Sequence, residues 1–229
     1  MENAKDATLI RTAKLLMLHS SFISKLGLMD GKMGIALFFY HLSRYTNKKI
    51  FDDFGGELID EIYTEIHNHY PSDFRNGLCG IAWGIEYLVQ NRFVEADTNE
   101  VLYDLDKIIF EWDVRKINDP TLETGLEGIA HYVIARCTGK PTKNIIIPKD
   151  YISELSTALE KNNKREISSV LRNILIGEYS YRKDCLLTDW IYKTKYNQKK
   201  IFNEYHPFGI SNNGYAGIGL NLILMKNEK

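Results

Sequence analysis

Gly31-Lys32-Met33-Gly34-Ile35-Ala36, Gly77-Leu78-Cys79-Gly80-Ile81-Ala82, Gly125-Leu126-Glu127-Gly128-Ile129-Ala130 and Gly214-Tyr215-Ala216-Gly217-Ile218-Gly219 are four copies of one phrase, G-x-x-G-I-[A/G]. Each copy opens an apolar stretch: Leu37 to Leu42, Trp83 to Val89, Tyr132 to Ala135 and Leu220 to Met225. The first glycines lie 46, 48 and 89 residues apart. The last interval spans about two of the others, which predicts a degraded copy between them. A repeat of this length is the mark of stacked units, each burying its apolar face against the next.

The rest of the chain fits helical hairpins around these copies. Ala4 to Leu18 carries Leu9, Ala13, Leu16 and Met17 on one face. The first copy's helix is expected to stop near Asn47. Leu58, Ile59, Ile62 and Ile66 predict an amphipathic helix over Glu57 to Tyr70, ended by Pro71-Ser72-Asp73. The second copy's helix runs to about Arg92. Asp97-Thr98-Asn99-Glu100 is a helix-start signature ahead of Leu102, Leu105, Ile108, Ile109 and Trp112. Lys140 to Pro148 reads as a loop with room for one extended segment, Ile145 to Ile147. Further helices are expected over Tyr151 to Leu159, with Asn162-Asn163 ending it, over Ile167 to Ile176 (where the missing copy belongs) and over Leu186 to Tyr196. Asn203 to Asn213 reads as loop. No useful length alternates with period two, so the fold class expected is all-α, with about ten helices.

Two glycines three apart share a helix face, and their missing Cβ atoms let another backbone approach. Glycine in a helix costs up to about 1 kcal/mol relative to alanine, so the close approach must return something. Asp30, Asn76, Thr124 and Asn213 precede the first glycines. All are good N-cap types, and each is expected to cap its helix. If the glycine-opened helices line the inside of a ring, their N-terminal ends gather at one rim and present N–H groups there.

The chain has 229 residues, 44% hydrophobic and 26% charged, with a net charge of -1. That composition is ordinary for a globular protein, and the absence of a basic block argues against nucleic acid as a partner. The apolar runs are too short to span a bilayer. No h-region with a cleavage site follows Met1. Cys79, Cys137 and Cys185 form no close-spaced pair. Reduced thiols and a cytoplasmic location are the expectation.

The repeated phrase at this period resembles the lanthionine synthetase C-like proteins. The resemblance runs from about Leu9 to Leu224. It implies an α/α toroid of helical hairpins, with the glycine-opened helices inside, and it implies one domain over 1–229. The family's cyclases add a peptide cysteine thiol to a dehydrated serine or threonine, through a zinc held by Cys, Cys and His. Two of those ligands come from a Cys-His-Gly step, and the matching residues here are Asn212, Asn213 and Gly214. The third comes from a Trp-Cys-Tyr-Gly step. The residues before Gly77 and Gly125 are Arg75-Asn76 and Glu123-Thr124. Amides are poor zinc ligands beside thiolate and imidazole. The resemblance therefore supports the fold while predicting no metal site and no cofactor. About five hairpins fit the chain where the family uses seven, so the toroid is incomplete, distorted or completed by a second chain.

Candidate site residues follow from these placements. Asn212 and Asn213 stand where the family puts its metal and would offer hydrogen bonds to a ligand. His206, before Pro207-Phe208-Gly209, is the histidine nearest the rim, and loop packing is its plainer role. His131 follows Ala130 on an inner helix, as a ligand-binding or a core histidine. Glu127 fills the variable slot of the third copy, where a carboxylate also suits a helix N-terminus. Cys79 reads as a buried thiol or as a nucleophile. His206, Glu127 and Cys79 are the catalytic candidates if the chain is an enzyme. Three functions follow: a peptide-binding accessory in modified-peptide (lantibiotic) biosynthesis, a cyclase or transferase with a relocated site, and a scaffold. The partners expected are a peptide substrate or a protein, including a second copy of the chain.

Overall fold

The computed structural model describes residues 2–67, 70–139, 147–178, 187, 202, 206–211 and 213–224. Among these residues the chain is all-helical, in agreement with the expected class. The α-helices are α1 Glu2–His19, α2 Lys32–Thr46, α3 Lys49–Glu65, α4 Leu78–Gln90, α5 Thr98–Val101, α6 Tyr103–Phe110, α7 Leu126–Thr138, α8 Lys149–Lys161, α9 Arg165–Leu175 and α10 Tyr215–Leu224. The expected segments Ile145–Ile146 and Leu186 to Tyr196, along with Cys185, fall outside the described residues, apart from Leu187.

Two compact units result, residues 1–66 with 184–229 and residues 67–183. In the first, α2 packs on α3 and α10, and α10 also packs on α1. In the second, α7 packs on α4, α8 and α9, and α8 packs on α9. The glycine-opened helices are the buried ones: Lys32 through Leu42, Leu78 through Glu86 and Tyr215 through Leu222 are buried without a break. A helix that is apolar all round belongs in a core. By contrast, α3, α8 and α9 bury one stripe each, as with Ile167, Leu171 and Ile174 on α9.

The hairpin links use left-handed asparagine. Asn47 (φ 54°) joins α2 to α3, and Asn163 (φ 59°) joins α8 to α9. Asparagine tolerates this region better than most residues, so the chain reverses there with little strain. Both helix ends match their expected positions. Three boundaries differ. α3 begins at Lys49, ahead of the expected Glu57, because Gly55 packs against the Tyr40 ring and so extends the buried stripe. It ends at Glu65, where Ile66 turns extended. The helix expected after Asp97 is broken at Leu102 into α5 and α6; Asp97 does cap it, accepting the Asn99 N–H at 3.0 Å.

Candidate functional site

The loop before each glycine-opened helix folds back over that helix's first turn. Lys32 and Met33 donate their N–H groups to Lys25 O and Leu26 O at 2.9 and 3.0 Å. Leu78 and Cys79 donate to Pro71 O and Ser72 O at 2.8 and 3.4 Å. Leu126 donates to Asp119 O at 2.9 Å, and Tyr215 and Ala216 donate to Pro207 O and Phe208 O at 2.8 and 3.1 Å. These N–H groups are among the four that a helix start leaves without an intrahelical partner. The expectation of rim N–H groups open to a ligand is therefore corrected: the loop's own carbonyls take them.

The capping expectation is corrected too. Gly31, Gly77 and Gly125 themselves hold the cap position, and no side chain caps. Asp30, Asn76 and Thr124 lie one residue outside, and Asn213 likewise precedes Gly214, just ahead of α10. The three cap glycines have extended φ values of -129°, -104° and -124°, which any residue adopts. Space is what excludes a side chain. A Cβ on Gly31, Gly77, Gly125 or Gly214 would stand closer than 3.0 Å to a backbone oxygen of its own loop. The same holds for Gly34, Gly128 and Gly217. The close approach expected of the phrase is real, and the partner is the preceding loop.

Neighbouring loops are then bonded in pairs. Within the first unit, Ile210 and Ser211 both donate to Met29 O, at 2.7 and 3.0 Å. Within the second, Phe74 and Arg75 both donate to Glu123 O, at 3.1 and 2.8 Å. Met29 and Glu123 each lie two residues before their glycine, so one rule builds both rims.

The second unit's rim holds a cavity of about 460 Å³ lined by Ser72, Asp73, Trp112, Ile117, Thr124 and Ile129. Ser72 and Asp73 come from the loop before α4. Thr124 and Ile129 come from either side of the third copy's cap, and Trp112 and Ile117 follow α6. Asp73 is held in place by the Asn76 N–H, 2.7 Å from Oδ1.

The sequence-derived candidates divide between the units. Cys79 is fully buried, and burial together with Asp73 and Asp106 pushes its thiol well up, which disfavours the thiolate a nucleophile needs. Glu127 is ion-paired with Lys164 at 2.6 Å. His131, one turn on from Glu127, is half-buried, and burial pulls it down to about 4; Glu127 opposes that shift and Lys164 adds to it. These two candidates therefore share one electrostatic neighbourhood. In the first unit, His206 stacks edge-on against Tyr215, 5.4 Å between ring centres. Asn213 has a left-handed backbone, φ 58°. Asn212 lies outside the described residues.

The positions matching the family's metal ligands carry other interactions. Arg75 and Glu123 form an ion pair, and the Thr124 hydroxyl donates to the Asp119 carboxylate. Among the described residues, no group of three His, Cys, Asp or Glu is placed to hold a metal ion. An amide, a hydroxyl and an arginine-paired carboxylate do not fit a zinc site of thiolates and imidazole.

The most buried charges of the second unit stand elsewhere. Arg136 of α7 reaches Glu86 Oε1 of α4 and Asp106 Oδ2 of α6, each at 2.7 Å, and Tyr132 donates to Asp106. The Arg136, Glu86 and Asp106 side chains are 5%, 1% and 0% exposed. Sequence reasoning passed over this cluster. Its signal was present: Glu86 and Arg136 interrupt the two most apolar helices of the unit, and buried charges come with partners.

A family model described as lanthionine synthetase C-like protein matches residues 23–177. No curated protein and no solved structure matches the chain. No helix of the described residues is long and apolar enough to cross a membrane.

Proposed function

The chain belongs to the lanthionine synthetase C-like family, and on that premise we propose that it binds peptide without the family's zinc chemistry, as an accessory in the biosynthesis of modified, lanthipeptide-type peptides. The observation that carries this reading is the second unit's rim. Where the family's ligand-bearing step would stand, the chain has Arg75, Glu123 and Thr124, already paired, beside a cavity with three apolar walls and three polar groups. Such a concavity suits a side chain of an extended peptide, with the polar groups fixing its orientation.

Two measurements test the reading. Metal analysis of protein purified from zinc-supplemented medium is expected to give zinc far below one per chain. Calorimetry with unmodified cysteine- and serine-containing peptides is expected to show saturable binding. One tightly held zinc per chain overturns it. The reading as a relocated transferase has the Glu127, Lys164 and His131 neighbourhood in its favour. Mass spectrometry separates the two readings. Thioether formation in a peptide with dehydrated serine, abolished by Glu127→Gln, would establish the enzyme.

A further inference from the structure

We propose that the rim cavity of the second unit is a recognition site for a basic side chain, lysine or arginine, of the bound peptide; this rests on the peptide-binding reading above. Among the described residues lining the cavity, Asp73 is the only ionisable one, so its field favours a cation. One carboxylate oxygen is held by the Asn76 N–H, which fixes the group's direction. A carboxylate has about four lone-pair sites, so acceptor capacity remains for a ligand.

The walls set the rest of the ligand's chemistry. Trp112, Ile117 and Ile129 are apolar, which suits a long methylene stem rather than a hydrated ion. Trp112 is half-buried, and its indole makes no ring stack and no side-chain hydrogen bond to a described residue. Other aromatic side chains of this unit are engaged: Phe74 with Trp83, Trp83 with Tyr87, Phe110 with Tyr132 and Tyr151. An indole and a carboxylate lining one cavity are a combination that attracts an ammonium or guanidinium group. The Ser72 hydroxyl, likewise without a partner among the described residues, adds an acceptor. A volume of about 460 Å³ takes one long side chain and no folded partner.

The full chain labelled with 5-fluorotryptophan tests this, because its three tryptophans give separate fluorine signals. Trp112→Phe assigns the relevant line. The probes are acetylated, amidated glycine pentapeptides with lysine, norleucine or glutamate at the centre, and n-butylammonium as a stem-and-cation control. The lysine peptide is expected to move the Trp112 line at concentrations roughly tenfold below those norleucine needs, and glutamate to leave it unmoved. Asp73→Asn, which keeps an oxygen for the Asn76 N–H, is expected to make lysine and norleucine equal while the Trp83 line stays in place. Equal binding of lysine and norleucine by the unsubstituted protein overturns the inference. Calorimetric binding of peptides that leaves Trp112 unmoved overturns it while the peptide reading stands. A Trp112 shift with n-butylammonium, with no Trp112 shift and no calorimetric binding from any peptide, keeps the cation site and sinks the peptide reading. Silence from every probe, in fluorine spectra and in calorimetry alike, overturns both.

Discussion

The unit built from residues 1–66 with 184–229 and the unit of residues 67–183 use one backbone rule and bury different cargo beside it. In both, a loop turns back to satisfy the first N–H groups of a glycine-opened helix, and a second loop bonds to the first. The first unit fills the space around that rule mostly with apolar groups. Gly219 lies against the Phe38 ring and Gly34 against Ile210. Its buried cation, Lys32, reaches outward to Glu61 and Glu65 at 2.9 and 2.6 Å, both 45% exposed. The second unit instead encloses Arg136 between Glu86 and Asp106 and leaves a lined cavity at its rim. The repeated phrase thus specifies how a helix begins and leaves open what the helix carries.

The buried cluster gives the largest expected difference. Arg136→Met leaves two carboxylates enclosed with no cation, and breaking a buried pair from one side costs about 3–5 kcal/mol. Lys32→Met leaves carboxylates that water can reach, so its cost is expected to be clearly smaller. Urea unfolding followed by circular dichroism measures both. Equal costs would erase the distinction between the units.

Cap glycines should show the opposite pattern, with no difference between units. Gly125→Ala and Gly214→Ala each set a methyl against a carbonyl oxygen of the loop. Overpacking of this kind costs about 1–3 kcal/mol, and backbone cannot step aside as a side chain can. Gly56→Ala is the control: the nearest atom to its Cβ is the Tyr40 hydroxyl oxygen at 3.8 Å, and helix propensity predicts a gain of up to about 1 kcal/mol. An alanine tolerated at Gly125 but not at Gly214 would mean that the shared rule is only a resemblance.

Acid brings in the first unit's own buried titratable group. His41 is 7% exposed, and burial, with Arg44 adding, pulls it down from 6.5 to about 3. The unfolded chain therefore takes up a proton at this residue before the folded chain does. Stability is unaffected above pH 6.5 and falls as pH drops from there toward 3. At 1.36 kcal/mol per unit, His41 is expected to account for about 2 kcal/mol lost by pH 5. Denaturation midpoints from pH 7 to 5 should show the slope, and His41→Gln should flatten it. A slope unchanged by that substitution would move the acid sensitivity to the second unit.

What the sequence made legible was the backbone rule. Glycine spacing gave the period and marked the buried helices, because a missing Cβ leaves a visible gap in the residue pattern, and the lack of period-two alternation gave the all-α class. Asn47 and Asn163 marked their turns for a similar local reason. The caps were misread because Asp30, Asn76 and Thr124 have the right chemistry one residue too early. The true partners are carbonyls seven or eight residues back from the donating N–H, which carry no residue identity. The site was less legible still. Asp73 looked like part of a helix breaker and Trp112 like one more apolar residue. Only the pairing of two loops across 48 residues brings Asp73 and Thr124 to one cavity.

The smallest effect concerns His131, where neighbours pull in two directions. Burial sets its value near 4, Glu127 raises it and Lys164 lowers it. The Glu127–Lys164 pair is 25% and 35% exposed, so breaking it costs about 1 kcal/mol or less. Its effect on His131 is nevertheless signed. Lys164→Met removes a repelling cation and is expected to raise the His131 pKa, while Glu127→Gln removes an attracting anion and is expected to lower it. NMR titration of the histidine ring protons reads both shifts. Acid destabilisation through His131 operates between about 4 and 6.5, so Lys164→Met narrows that window from below and Glu127→Gln widens it. In the first unit His41 is lowered by Arg44 and has no such opposing carboxylate among its causes, so Arg44→Gln can only raise it. If Lys164→Met and Glu127→Gln moved His131 in the same direction, the two side chains would be acting through burial rather than charge, and His131 would differ from His41 only in its exposure.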